Sequence, residues 1–148
     1  MEILVIIIGI FLDRFTKVWA LKTLANGNEI ELIKDFFSFR YLENKGAAFG
    51  IFQGKTFLLV IFTLIAILAI IYYVVKYKPK SKFIKIGFAF IIAGALGNLY
   101  DRIFYKFVVD FILVHYKDVY YYPTFNIADI LVVVGTIMLG IFILKEGK

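Results

Sequence analysis

The stretch that decides the fold is residues 125–144, FNIADILVVVGTIMLGIFIL. From Ile130 to Leu144 it carries no charge, and an apolar segment of about 20 residues crosses the hydrocarbon of a bilayer as a helix. Its start is different. Asn126 and Asp129 stand three residues apart at the head of this apolar run, with Pro123 just upstream. Two readings are open. One is a capping box, in which the two side chains satisfy the first free amides of the helix. The other is a functional carboxylate: a charge at the centre of a membrane helix costs about 2.5–3.5 kcal/mol on insertion scales, and such residues are rare without a use. The rest of the chain has to decide.

Working outward, the whole chain is apolar: 62% of its 148 residues are hydrophobic, with 17 Phe and 10 Tyr, and the mean hydropathy is +0.88. Soluble domains are about half apolar, so this is a membrane protein, and its length allows one domain. There is no cysteine, which excludes disulfides, thiolate metal sites and a cysteine nucleophile. The net charge is +6; its position matters more than its sum, and no nucleic-acid partner is expected.

FLLVIFTLIAILAIIYYVV (57–75) is uncharged throughout and KFIKIGFAFIIAGALGNLY (82–100) has Lys85 near its start; both read as membrane helices. Residues 3–12 have the length of a signal-peptide core, but no small-residue cleavage site follows, so the opening segment reads as a retained helix. The expected fold is a mainly α membrane protein, a single integral-membrane domain over 1–148. It has four transmembrane helices at about 3–21, 57–75, 83–101 and 126–144, and a small extracytoplasmic β-containing segment. The lysines of KYKPKSK (76–82), with Lys145 and Lys148, read as cytoplasmic by the positive-inside rule. Four spans then put both termini inside and leave segments 22–55 and 102–124 outside. In the first of these, EIELIKDFFSFRYLEN (29–44) alternates like a strand, and Gly46 and Gly50 read as turns. In the second, FYKFVVDFILVHY (104–116) reads as a strand or an interfacial segment.

This orientation brings polar groups to one depth. Asp129 opens the fourth helix at its outer end; Asn98, Asp101 and Arg102 close the third at the same end, and Asp110 follows in the connecting segment. Asn98 and Arg102, four apart, share a helix face. Simpler roles exist for each: Arg102 snorkelling, Asp101 capping or pairing with Arg102, His115 as an interfacial residue. Asp110, however, sits within FVVDFIL, a poor setting for a merely solvated carboxylate. Asp13 and Lys17, four apart in the favourable order, read as a structural ion pair. Gly94 and Gly97, with Ala93 and Ala95, read as a close helix contact rather than a phosphate loop.

The chemistry is narrowed by what is missing. A single His and no HExxH signature argue against a zinc hydrolase, and neither Ser38 nor Ser81 has a His–Asp partner pattern. A pair of carboxylates, Asp110 and Asp129, remains. Two carboxylates held together share a proton, so one acts as a base on water while the other donates to a carbonyl.

Five blocks carry a resemblance. DRFTK (13–17), NKGAAFGIF (44–52), AGALGNLYDR (93–102), VVDFI (108–112) and FNIAD (125–129) are similar, in order, to the D-x-x-T-K, N-x-G-A-A-F and G-N-x-x-D-R blocks and the two aspartate blocks of lipoprotein signal peptidases, also called signal peptidase II. The resemblance implies an aspartic endopeptidase that cleaves the signal peptide of a bacterial prolipoprotein just before a diacylglyceryl-modified cysteine. It implies Asp110 and Asp129 as the catalytic dyad, with Asn44, Asn98, Arg102 and Asn126 holding substrate or orienting the dyad. Asp13 and Lys17 would be structural, and neither a metal nor another cofactor is implied. Expected partners are the prolipoprotein and membrane lipid, for a monomer in the bacterial cytoplasmic membrane with its active site near the extracytoplasmic face. One departure is visible: Ile130 follows Asp129 where the family often has a small Ser. The alternatives are a four-helix exporter of cationic compounds using an intramembrane carboxylate, and a membrane scaffold without activity.

Overall fold

The computed structural model describes residues 1–47 and 51–146. The turn expected at Gly50 and the charge of Lys148 lie outside the described residues. The described residues form four long helices and a small sheet: α1 (Glu2–Leu24), β1 (Glu29–Ile33), β2 (Phe37–Asn44), α2 (Thr56–Tyr77), α3 (Lys82–Phe104), β3 (Val108–Tyr116), β4 (Tyr120–Tyr121) and α4 (Ile127–Glu146).

The bundle is inside out relative to a soluble protein. Phe57 is 75% exposed and Leu144 74%, whereas Asp13, Lys17 and Asp101 are fully buried. That arrangement is stable only where the surroundings are themselves apolar. Among the described residues three helices are long and apolar enough to cross a membrane: α2, α3 and α4. The sequence reading expects a fourth span in α1, which falls short by composition because it carries Glu2, Asp13, Arg14, Lys17 and Lys22.

Helix α3 is the central element, packed against α1, α2 and α4. Its small residues make this possible. A Cβ on Gly94 would strike the carbonyl oxygen of Ala128 in α4, and one on Gly97 would strike the Asp13 carboxylate in α1. The stripe AGALG therefore sets the spacing of three helices, as small residues do where backbones approach closely.

The sheet is antiparallel in the order β1-β2-β3-β4. The first two strands form a hairpin through Asp35, which adopts a positive φ of 59°, a conformation Asp tolerates better than most residues. Strand β3 is buried along most of its length. It lies over the last turns of α1, where Ala20 and Leu24 meet Val109, Phe111 and Ile112. Trp19 packs edge-on against Phe39 (5.3 Å) and Phe111 (6.0 Å). This apolar contact seats the sheet on the helical bundle and fixes the height of β3 above α3 and α4.

Candidate active site

Helix α4 begins with a reciprocal cap. Asn126 Oδ1 accepts the Asp129 amide at 3.0 Å, and Asp129 Oδ2 accepts the Asn126 amide at 3.1 Å. Each side chain still has a second polar atom, and both point toward other elements. Asn126 Nδ2 donates to Asp110 Oδ1 (2.6 Å) and to Asn98 Oδ1 (3.1 Å). Asp129 Oδ1 accepts Asn98 Nδ2 at 2.8 Å. The two readings left open by the sequence are therefore compatible: the capping atoms and the atoms facing the rest of the site are different atoms.

Asp110 stands on β3, opposite Leu42 of β2. Backbone bonds from Phe111 and Ile112 to the Phe125 carbonyl, 3.1 and 2.8 Å, tie its strand to the residue before Asn126. Its second oxygen accepts Asn44 Nδ2 at 2.8 Å, and Asn44 is itself held by the Gly46 amide at 2.9 Å. Only 1% of Asp110 is exposed. Burial, and then the charge of Asp129, push its carboxyl up to about 7, against the pull of the Asn44 and Asn126 hydrogen bonds.

Both carboxylates line one open cavity of about 670 Å³, together with Asn44, Asn98 and Arg102. Arg102 does not snorkel away; its Nη2 donates to the Gly46 carbonyl at 3.1 Å. Below the carboxylates the walls become apolar, with Ala66 from α2, Ile91 and Ala95 from α3, and Val132 from α4. Ile91 lies seven residues before Asn98, so the apolar part runs about 10 Å along α3 at 1.5 Å per residue. Ile130 does not line the cavity and is 38% exposed, so its size bears on the outer surface of α4 instead. His115 is remote from this cavity: it stacks on Tyr121 at 5.3 Å, and its Nδ1 lies 3.0 Å from the Lys117 carbonyl.

Behind the cavity wall is a buried charge cluster. Lys17 Nζ meets Asp13 Oδ2 at 2.9 Å, Asp101 Oδ2 at 3.0 Å and Asn98 Oδ1 at 2.8 Å. The ammonium thus donates a hydrogen bond to Asn98 and forms ion pairs with both carboxylates. Arg14 binds the other oxygen of Asp101 and stacks on Tyr100 at 4.5 Å. Two carboxylates and two cations balance, as burial of charge demands. The expectation that Asp101 caps or pairs with Arg102 is corrected here. Neighbouring helix residues point about 100° apart, so Asp101 faces α1 while Arg102 faces the cavity. Sequence reasoning missed Arg14 and this role of Asp101. Asp101 lies three residues after Asn98 on the same helix face, and the packing of α1 against that face supplies Lys17 and Arg14. Asp13, which the exporter alternative needs in a cavity, is enclosed between Lys17 and the Ala128 amide (3.1 Å).

This constellation has relatives. A family model described as "Signal peptidase (SPase) II" matches residues 5–145. A lipoprotein signal peptidase of Clostridium novyi (strain NT) is 73% identical over 148 residues, covering all of both chains. One from Clostridium acetobutylicum is 59% identical, covering all of this chain and 97% of that protein. A solved bacterial membrane enzyme superimposes with a TM-score of 0.88 at 33% identity, covering 99% of this chain and 89% of the other. Nothing in these likenesses favours an exporter. With the family match spanning residues 5–145 and relatives this similar over their whole length, this protein belongs to the signal peptidase (SPase) II family.

Proposed function

We propose that the chain is an aspartic endopeptidase of the bacterial cytoplasmic membrane, with Asp110 and Asp129 as its catalytic pair. It removes signal peptides from prolipoproteins, cleaving before a diacylglyceryl-modified cysteine. The observation that carries this reading is the meeting of two carboxylates from different elements, β3 and α4, on one cavity with Asn126 bridging them. Asp110, whose carboxyl keeps its proton up to about pH 7, donates to the scissile carbonyl. Asp129 takes a proton from water, whose oxygen adds to the carbonyl carbon. In the collapse of the tetrahedral adduct the C–N bond breaks, the proton taken by Asp129 passes to the leaving nitrogen, and a hydroxyl of the adduct returns its proton to Asp110 as the carbonyl re-forms. Asn98, Asn126 and Asn44 orient the pair, Arg102 at the rim holds substrate backbone, and Asp13 and Lys17 are structural. The apolar walls beneath the pair suit the signal helix and the acyl chains of the substrate.

All four helices span the bilayer in this reading, within a single integral-membrane domain. Helix α1 fails a count of charges, yet its charges at Asp13 and Lys17 face inward, while Phe11 and Phe15, each 64% exposed, face outward. An ion pair enclosed in this way does not meet lipid. Both termini are cytoplasmic, the site opens near the extracytoplasmic face, and the enzyme acts as a monomer among lipid.

The test is release of the signal peptide from a diacylglyceryl-modified precursor by purified protein. Asp110→Asn and Asp129→Asn should each abolish release while leaving folded protein. Because both groups act in one step, the double variant should be hardly worse than either single variant. Asn caps a helix as well as Asp, so an active Asp129→Asn enzyme would reduce this residue to a cap and sink the proposal.

A further inference from the structure

Each of the two site aspartates follows a residue whose amide is held by a buried carboxylate from elsewhere in the chain. Asp101 Oδ2 accepts the Val109 amide at 3.1 Å, immediately before Asp110. Asp13 Oδ1 accepts the Ala128 amide at 3.1 Å, immediately before Asp129. Neither amide has an obvious substitute partner. The Ala128 amide belongs to the first turn of α4, where backbone donors lack intrahelical acceptors, and the capping box already uses Asn126 and Asp129. The Val109 amide is directed at α3 and away from the neighbouring strand. Both gripping carboxylates are fully buried and share one counter-ion, Lys17. That same Lys17 binds Asn98, which donates to Asp129.

We infer that Asp13 and Asp101 are positioning residues that set the separation of the catalytic pair, each by gripping the backbone one residue upstream of its partner. Lys17 joins the two grips, so β3 and α4 are referenced to one point between α1 and α3. The inference rests on Asp110 and Asp129 being the pair, and it gives the buried cluster a task beyond holding helices together. Backbone amides bound by carboxylates are among the stronger neutral-to-charged hydrogen bonds, and a misplacement of about 1 Å in reacting groups costs about 100-fold in rate.

Two double variants separate the grip from the balance of charge. Arg14→Met/Asp101→Asn and Arg14→Met/Asp101→Leu both remove one cation and one anion, leaving Asp13 with Lys17. Only the first keeps an oxygen for the Val109 amide. The first should keep kcat within about threefold of wild type, and the second should lose about 100-fold with KM little changed. Each rate is taken per folded protein. Hydrogen exchange gives a reading that does not depend on activity or on the Leu variant folding. In the wild type, the Val109 and Ala128 amides should be protected, and the Val109 amide should stay protected in the Asn variant. Equal kcat in the two double variants, loss in both, or fast exchange of these amides in the wild type would overturn the inference. A wild-type enzyme that releases no signal peptide would instead overturn the assignment of function.

Discussion

Asn44→Ala should move the alkaline limb of the pH–rate profile to higher pH. Asn44 Nδ2 donates to Asp110 Oδ2 at 2.8 Å, and that bond favours the ionised carboxyl. A hydrogen bond to a charged group is worth about 1.5–3 kcal/mol net, and water entering beside half-buried Asn44 recovers part of that, leaving about 1 kcal/mol. At 1.36 kcal/mol per pH unit this is a rise of roughly 0.7 unit. The active pair keeps one proton, and activity falls as that proton leaves near pH 7. Losing the donor makes Asp110 hold its proton to higher pH, so the limb moves up. Stability carries the same sign. The folded carboxyl sits above its ordinary 3.8, so its contribution is present below that value and is lost as pH rises through about 7. The Tm deficit of Asn44→Ala should therefore widen above pH 7. The assay is kcat/KM for signal-peptide release from pH 5 to 9, a range of about two units on each side of neutrality. The position of the limb is the readout, since Asn44 also faces the substrate cavity. A limb that stays in place or moves down refutes the reasoning.

Gly97→Ala should lower the Tm by crowding the Asp13 carboxylate, at an overpacking cost of about 1–3 kcal/mol. Gly140→Ala, where a Cβ meets nothing within 4 Å, should be neutral or slightly stabilising; both are read by thermal unfolding in detergent. Lys17→Met strips the shared cation from Asp13 and Asp101 and should cost about 3–5 kcal/mol, seen as loss of folded enzyme at growth temperature. Reporter fusions after Lys45 should be extracytoplasmic and fusions after Lys80 cytoplasmic; the opposite pattern would invert the placement of the site.

The helices were legible because a membrane span is a long uninterrupted apolar run, and α2 has 19 uncharged residues from Phe57 to Val75. Strand β3 was half legible: VVDFILV has strand composition, but a strand buried along most of its length lacks the alternation that marks a half-exposed one. Helix ends were less clear. Asn126 looks like part of the fourth helix in sequence and is its cap in the fold. The meeting of Asn98, Asp110 and Asp129 is read from depth, with the lysines taken as cytoplasmic, whereas Asn126 is read only as a cap and through the family resemblance. The partner of Asp101 was not legible. Sequence neighbours invite pairing, and Arg102 is adjacent, but helix geometry turns it away and offers Arg14, 87 residues distant. Packing across α1 and α3 decides that pair, and no local pattern encodes it.

Asp129 shows that capping a helix and facing a cavity do not exclude each other. An ionised carboxylate has two oxygens and about four lone-pair sites. Capping takes one oxygen, because the amide of the cap residue Asn126 needs a single acceptor. The other oxygen is then aimed by the cap itself: fixing Oδ2 on the backbone of α4 fixes the plane of the carboxyl and sends Oδ1 toward Asn98 and the cavity. The cap costs the site nothing and removes a rotamer freedom that the carboxyl would otherwise keep. Asn126 works in the same way, with Oδ1 on the Asp129 amide and Nδ2 on Asp110. A helix start is therefore a favourable place for one member of a carboxyl pair. Its unsatisfied amides orient the group, and the partner needs only to arrive on a strand held at the same height, as β3 is by its bonds to Phe125.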